Sequence, residues 1–149
     1  GPFVRVWIVM CGTRRGKTIA LPMADRLLID TSILVDYLRG IDEAVEYVES
    51  RTEPLLLSTI VVAELYAGVR DAEREALATA LRAFDIHPVT ASIAKQGGLL
   101  KRDYQPSHGT GLADALIAAT AEAHDAQLVT LNDRHFPMLD DVVVPYRLA

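Results

Sequence analysis

Acidic side chains recur along this chain where predicted strands end and where the following helices begin. They are Asp30, Glu64, Asp114 and Asp133, with Asn132 as the alternative to Asp133 at the last position. Ligands of an open parallel sheet bind at the carboxyl ends of its strands, so groups far apart in sequence can converge on that edge. Carboxylates gathered there repel one another unless cations lie between them. Hard oxygen ligands of this kind favour Mg²⁺, for which Mn²⁺ can substitute.

Divalent cations held by such carboxylates support the hydrolysis of phosphodiester bonds. One ion, or two ions about 4 Å apart, can activate water and stabilise the leaving oxygen, and one carboxylate can take the proton from the attacking water. The acids also have structural explanations, since Asp30 could cap a helix and Asp114 could interact with a helix dipole. Glu64 has apolar neighbours on both sides, and a carboxylate in such a setting needs a partner.

Alternating strand and helix patterns predict the framework that positions these acids. Short apolar runs predict strands at 27–29, 55–57, 86–89, 127–130 and 142–144. Helical periodicity predicts a helix ending near Gly40 and further helices at 43–51, 59–70, 72–84, 91–103 and 112–124. The predicted caps are Thr31 or Ser32, Ser58 or Thr59, and Thr90, and residues 105–111 are predicted to form a loop. The alternation implies an α/β fold, a three-layer α/β/α sandwich with a central parallel sheet.

The composition indicates one globular domain in a reducing compartment. Of the 149 residues, 50% are hydrophobic and 23% are charged, which excludes a disordered chain. The net charge of −5 argues against holding nucleic acid by bulk electrostatics, although carboxylates collected to bind cations would also make the protein acidic. The single Cys11 can form no internal disulfide, and no apolar run approaches the roughly 18 residues that cross a membrane. We therefore expect a cytoplasmic protein.

The first 25 residues differ from the regular pattern that begins at Arg26. We predict an N-terminal extension at 1–25, whose Gly1 and Pro2 resemble a tag remnant, and a single domain at 26–149. Residues 4–10 could form a strand, and Met23 is a plausible alternative start. The segment 12–18 is similar to a phosphate-binding loop, but three residues separate its glycines where that motif has four. A basic tail is therefore favoured over nucleotide binding.

Four segments of the sequence resemble the PIN domains of VapC toxins, in the same order and spacing. They are 28–32 (LIDTS), 62–68 (VAELYAG), 112–119 (LADALIAA) and 128–136 (LVTLNDRHF). The resemblance covers the chain from about Arg26 to its end. It implies a Mg²⁺- or Mn²⁺-dependent endoribonuclease that cleaves a structured cellular RNA, a tRNA or rRNA, at a single-stranded loop. It also implies a homodimer neutralised by a cognate VapB antitoxin.

The resemblance further implies that Asp30, Glu64 and Asp114 are metal ligands. The fourth polar residue of the family falls on Asn132, and Asp133 lies one position further on. We favour Asp133, because charge contributes more to Mg²⁺ affinity than a neutral amide does. Two rival functions remain. A Mg²⁺-dependent phosphohydrolase of small phosphate esters would require an acid where this chain has Ser32. A non-catalytic PIN-fold RNA-binding module would have lost acids that this chain keeps.

Overall fold

The structure is a computed structural model that describes residues 26–148. The sequence-based predictions of an N-terminal extension with a tag remnant, a strand at 4–10, a basic tail and a start at Met23 all lie outside the described residues. Within the described part, no helix is both long enough and apolar enough to cross a membrane.

Five parallel strands form one sheet in the order β3-β2-β1-β4-β5. They are β1 Leu27–Ile29, β2 Leu55–Ser58, β3 Asp85–His87, β4 Gln127–Val129 and β5 Val142–Val143. Every residue of the central strand β1 and of its neighbour β2 is buried. Such continuous apolar strands are typical of a parallel sheet that is covered on both faces.

Six α-helices and two short 3₁₀ helices flank this sheet in the described part of the chain. The α-helices are α1 Thr31–Leu38, α2 Asp42–Glu49, α3 Thr59–Ala67, α4 Arg74–Leu81, α5 Ala91–His108 and α6 Leu112–Ala123, and the 3₁₀ helices are Asp71–Glu73 and Asp133–His135. The connections from β1 to β2 and from β2 to β3, which contain α1–α4, run towards one edge of the sheet. The connection from β3 to β4, which contains α5 and α6, runs back towards the other edge. Right-handed crossovers then place the two groups on opposite faces. The predicted three-layer sandwich is confirmed.

Side-chain caps begin two of the predicted helices, but not the first one. Ser58 and Thr90 each accept a hydrogen bond from a backbone N–H of the following helix, at 3.1 and 3.2 Å. The cap position of α1 is Asp30, whose side chain makes no capping hydrogen bond. The prediction that Thr31 or Ser32 caps this helix is therefore wrong. Both hydroxyls donate to carboxylates instead.

Two helix boundaries differ from the prediction. The loop predicted at 105–111 is wrong, because α5 continues through Pro106 to His108. Proline lacks a backbone N–H, so α5 loses one i→i−4 hydrogen bond in its last turn and still continues for two more residues. The helix then stops at Gly109, whose φ of +65° is the left-handed conformation that glycine adopts without strain. The helix predicted at 72–84 is shorter than expected: the 3₁₀ helix Asp71–Glu73 precedes it, and α4 itself covers only Arg74–Leu81.

A glycine on α5 sets how closely α6 can approach. A Cβ atom on Gly97 would lie 2.5 Å from the Cδ2 atom of Leu116 and 3.2 Å from its Cα atom. The absence of a side chain at Gly97 therefore lets the two helices touch at this point. Helix α6 carries Asp114 in its first turn, so this packing also fixes the position of an acid singled out in the sequence.

A chain that starts at Met23 should fold with an unchanged free energy of unfolding. The buried hydrophobic cluster of the structure is built from elements that begin at Leu27. Urea unfolding of the full and shortened proteins, followed by circular dichroism, measures the difference. An insoluble product, or a clearly lower free energy of unfolding, would show that residues 4–10 contribute to the core.

Candidate active site

The carboxylate of Asp30 lies at the carboxyl end of β1 and is held by two hydroxyl groups. Thr130 donates to its Oδ2 atom at 2.6 Å, and Ser32 donates to the same atom at 3.2 Å. Asp30 is only 5% exposed. Among residues 26–148, neither hydroxyl reaches the second oxygen, and the carboxylate makes no capping hydrogen bond. The structural explanation of Asp30 as a helix cap is therefore wrong, and one oxygen is left for another partner.

The two hydroxyls connect the ends of β1 and β4. The backbone N–H of Leu131 donates to Ser32 Oγ at 3.1 Å, and that of Asn132 donates to Thr130 Oγ1 at 3.0 Å. The residues after β4 are thereby tied to the same hydroxyls that orient Asp30. Thr130 directly follows β4, and Ser32 is the second residue of α1. Their closeness in sequence to the predicted strand ends was the available signal.

Glu64 lies on the outward face of α3, where it accepts a hydrogen bond from Thr31. The distance from Thr31 Oγ1 to Glu64 Oε1 is 2.6 Å. Val61 and Leu65 are buried while Glu64 is exposed, so its apolar neighbours in sequence do not bury it. The predicted need for a partner is met by Thr31, which also joins α3 to the start of α1.

The pKa of Asp114 depends on the other acids of the candidate site. Burial raises the pKa of Asp114, and the negative charges of Asp30 and Glu64 raise it further. His135 opposes this effect, since its Nδ1 atom lies 3.3 Å from Asp114 Oδ2. Three acids that are far apart in the sequence therefore share one electrostatic environment. His135, which lies in the segment 128–136, is therefore a further contact of this cluster.

Asp133 is turned towards a different partner. Arg147 Nη2 donates to Asp133 Oδ1 at 3.1 Å. This hydrogen bond lowers the pKa of Asp133, and the charges of Arg147 and Arg134 lower it further. The side chain of Asn132 is exposed, and its backbone is held by Thr130. Asn132 and Asp133 lie three and four residues after the end of β4, and which of them completes the site stays a prediction.

The carboxylate side chains of the candidate site are suitable ligands for a hard divalent cation. Asp30, Glu64 and Asp114 offer carboxylate oxygens whose mutual repulsion a bound cation would relieve. Their charges interact, yet across residues 26–148 no three Asp, Glu, His or Cys side chains lie close enough to hold an ion as they stand. Glu64 is engaged with Thr31 in this arrangement. The residue types therefore fit a Mg²⁺ or Mn²⁺ site, and the cluster is more open than a closed metal site.

Comparison with known families agrees with the fold and with the acidic edge of the sheet. Residues 27–142 match the family model of the PIN domain. This match covers most of the chain, including every described strand up to the start of β5. The chain therefore belongs to the PIN-domain family.

The relatives within this family are VapC ribonucleases. The chain is 41% identical over 123 residues to Ribonuclease VapC10 of Mycobacterium tuberculosis, a match that covers 80% of this chain and 92% of that protein. It is 46% identical over 123 residues to Ribonuclease VapC19 of the same species, covering 80% and 98%. Its structure resembles one in a toxin-antitoxin complex from Klebsiella pneumoniae with a TM-score of 0.72 and 30% identity, covering 82% and 99%. The prediction of a PIN-domain nuclease of the VapC kind is confirmed.

Two alanine variants distinguish the candidates for the fourth position. Asp133→Ala should raise the Mg²⁺ concentration needed for half-maximal cleavage by about tenfold, because a negative charge next to the cluster is lost. Asn132→Ala should leave that concentration unchanged. The measurement is a Mg²⁺ titration of RNA cleavage by each variant. A shift in Asn132→Ala alone would assign the position to the amide.

Proposed function

We propose that this chain is the toxin of a VapBC-type toxin–antitoxin system and that it cleaves RNA with the help of Mg²⁺ or Mn²⁺. The observation that carries the proposal is the position of Asp30 at the carboxyl end of β1, with one oxygen of its carboxylate held by two hydroxyls, together with Glu64 and Asp114, whose negative charges with that of Asp30 raise the pKa of Asp114. Like charges that lie near one another disfavour the ionised forms unless a cation balances them. The similarity to VapC10 and VapC19, which are both ribonucleases, supports the same conclusion.

The chain's own residues prepare the site for hydrolysis. The hydroxyls of Thr130 and Ser32 fix the buried carboxylate of Asp30, and Thr31 fixes that of Glu64. These hydrogen bonds orient the individual carboxylates, which would still have to move closer together to hold one cation, because no three of them in residues 26–148 lie close enough as they stand. When bound, a divalent ion would supply a water nucleophile at neutral pH and neutralise charge on the phosphodiester. A carboxylate of the cluster would accept the proton of the attacking water.

The proposed substrate is a structured RNA, such as a tRNA or rRNA, that is cut at a single-stranded loop. The site lies at the open edge of the sheet, with Glu64, Asn132 and His135 all exposed. An open edge of this kind can receive a looped strand whose phosphate groups are accessible. Single-stranded loops also display unstacked bases, which proteins can read.

The proposed partners are a cognate VapB-type antitoxin and a second copy of the chain. Similar structures come from a toxin-antitoxin complex of Klebsiella pneumoniae and from VapBC2 of Rickettsia felis bound to a DNA fragment from their promoter. Two large apolar side chains are exposed on the helices that carry the acids, Tyr66 at 37% on α3 and Leu112 at 52% on α6. A protein partner that packed against these helices would bury this apolar surface.

Mapping of RNA ends tests the proposal. The purified protein is incubated with total cellular RNA and Mg²⁺, and new 5′ ends are sequenced, with and without its antitoxin. We expect a few discrete ends in single-stranded loops, which the antitoxin suppresses. Hydrolysis of p-nitrophenyl phosphate with intact RNA would instead favour the small-ester phosphohydrolase. Binding of RNA without any cleavage would favour the non-catalytic module.

A further inference from the structure

The segment after β5 returns to the candidate site and places an arginine beside it. Tyr146 donates a hydrogen bond from its Oη atom to Asp36 Oδ2 on α1, at 3.0 Å. The next residue, Arg147, donates to Asp133 Oδ1 at 3.1 Å. Tyr146 is half-buried whereas the Arg147 side chain is 65% exposed. The segment is thus fixed at one residue and presents a guanidinium group at the next.

A second arginine and a histidine lie on the turn that Arg147 contacts. The 3₁₀ helix Asp133–His135 contains Arg134, which is exposed and whose charge acts on Asp133. The neighbouring His135 contacts Asp114 within the carboxylate cluster. The turn is therefore attached to the cluster through His135 and carries the cationic Arg134 on its exposed side.

An RNA strand needs such cations in order to reach this site. The whole chain carries a net charge of −5, and the site itself gathers carboxylates. Nucleic acids bind proteins largely through lysine and arginine contacts with phosphate groups. Arg134 lies next in sequence to His135, which contacts Asp114, and Arg147 contacts the same turn at Asp133. These exposed cations can therefore supply local attraction that the chain as a whole does not.

We propose that Arg147, with Arg134 beside it, binds backbone phosphate groups of the RNA strand next to the cleaved bond. This inference rests on the proposed function. The ion pair between Arg147 and Asp133 is exposed on both sides, with 65% and 42% of the side chains accessible. Exposed pairs contribute little to stability, so the guanidinium can exchange this partner for another. Arginine binds a phosphate group through two parallel N–H donors, which favours the exchange.

The experiment compares Arg147→Gln with a matched control, Arg102→Gln. Arg102 also forms an exposed ion pair with an aspartate, at 2.9 Å from Asp103, with 69% and 52% of the side chains accessible. Binding of fluorescently labelled single-stranded RNAs of two unrelated sequences is measured by anisotropy in excess chelator, so that the RNA stays intact. The titrations are repeated at several salt concentrations. KM and kcat for RNA cleavage are measured in Mg²⁺ for the same proteins.

We expect Arg147→Gln to weaken binding of both RNAs about three- to tenfold. The slope of log affinity against log salt should become shallower by about 0.7, the value for one phosphate contact on a single strand. KM should rise by a similar factor while kcat stays the same, and Arg134→Gln should act in the same direction. Arg102→Gln should match the unsubstituted protein in every measurement.

Two results would overturn the proposal. In the first, Arg147→Gln has the same affinity, salt slope and KM as the unsubstituted protein. In the second, Arg102→Gln loses as much as Arg147→Gln, which would indicate a general effect of surface charge. If no protein binds RNA in chelator, the KM comparison in Mg²⁺ decides. If the unsubstituted protein binds RNA but never cleaves it, the proposed function fails while the binding comparison still tests Arg147.

Discussion

Asp114→Asn is expected to reduce RNA cleavage at least about a hundredfold while leaving the fold intact. The substitution keeps the shape of the side chain and removes the charge that interacts with Asp30 and Glu64. Asp30→Asn should have a similar effect on cleavage, because an amide oxygen can still accept from Thr130 and Ser32 but carries no charge. The rate of cleavage of a labelled RNA at saturating Mg²⁺ measures both variants.

The matched control is Asp85→Asn. Asp85 is an exposed aspartate at the start of β3, away from the carboxyl edge of the sheet. Its replacement should leave the cleavage rate unchanged. If Asp114→Asn or Asp30→Asn keeps a rate close to that of this control, the substituted residue does not take part in the reaction.

The free energy of unfolding of Asp114→Asn should depend on the same repulsion between carboxylates. Because burial and its acidic neighbours raise the pKa of Asp114 above the ordinary 3.8, the ionised carboxylate destabilises the folded state at neutral pH. The asparagine variant should then be at least as stable as the original protein at neutral pH. This difference should shrink as the pH falls through the raised pKa and disappear below the ordinary value of 3.8, where the carboxyl group is protonated in both states. Urea unfolding across this pH range measures the difference.

Removal of divalent ions is the second change with a large expected effect. Excess chelator should abolish RNA cleavage, and added Mg²⁺ or Mn²⁺ should restore it, since the carboxylates then regain the cation that neutralises them. Full cleavage in excess chelator would contradict the mechanism.

Thermal unfolding provides a readout of ion binding that does not depend on activity. A ligand that binds only the folded state stabilises it by about 2.7 kcal/mol at a concentration 100 times its Kd. Mg²⁺ should therefore raise the Tm of the original protein, and it should raise the Tm of Asp114→Asn much less. An equal rise in both proteins would place the bound ion elsewhere.

The sheet could be predicted from the sequence because its strands are continuous apolar runs. Leu55, Leu56 and Leu57 are buried on both faces, and this pattern alone identified β2. Acidic residues close to the predicted strand ends then identified Asp30 and the residues after β4 as candidate site residues. Local patterns succeed here because burial determines both the residue types and the structure.

Contacts between distant segments could not be predicted in the same way. Thr31 has the residue type of a helix cap, yet Glu64, 33 positions further along the chain, provides a stronger, charged acceptor for its hydroxyl. The partner of Asp133 is Arg147, which only the return of the chain after β5 brings near. Pro106 suggested a loop, whereas packing of α5 against α6 keeps the helix intact. In each case a tertiary contact outweighed a local preference.

The hydrogen bond between Asp30 and Thr130 joins residues that are 100 positions apart in the chain. A ribosome adds about 5–20 residues per second, so about 5–20 s pass between the synthesis of these two residues. During that interval β1 has no β4 to pair with, and Asp30 lacks the hydroxyl that orients it. A translating ribosome therefore carries this chain for seconds as an incomplete enzyme, and the arrival of the fourth strand is the event that completes it.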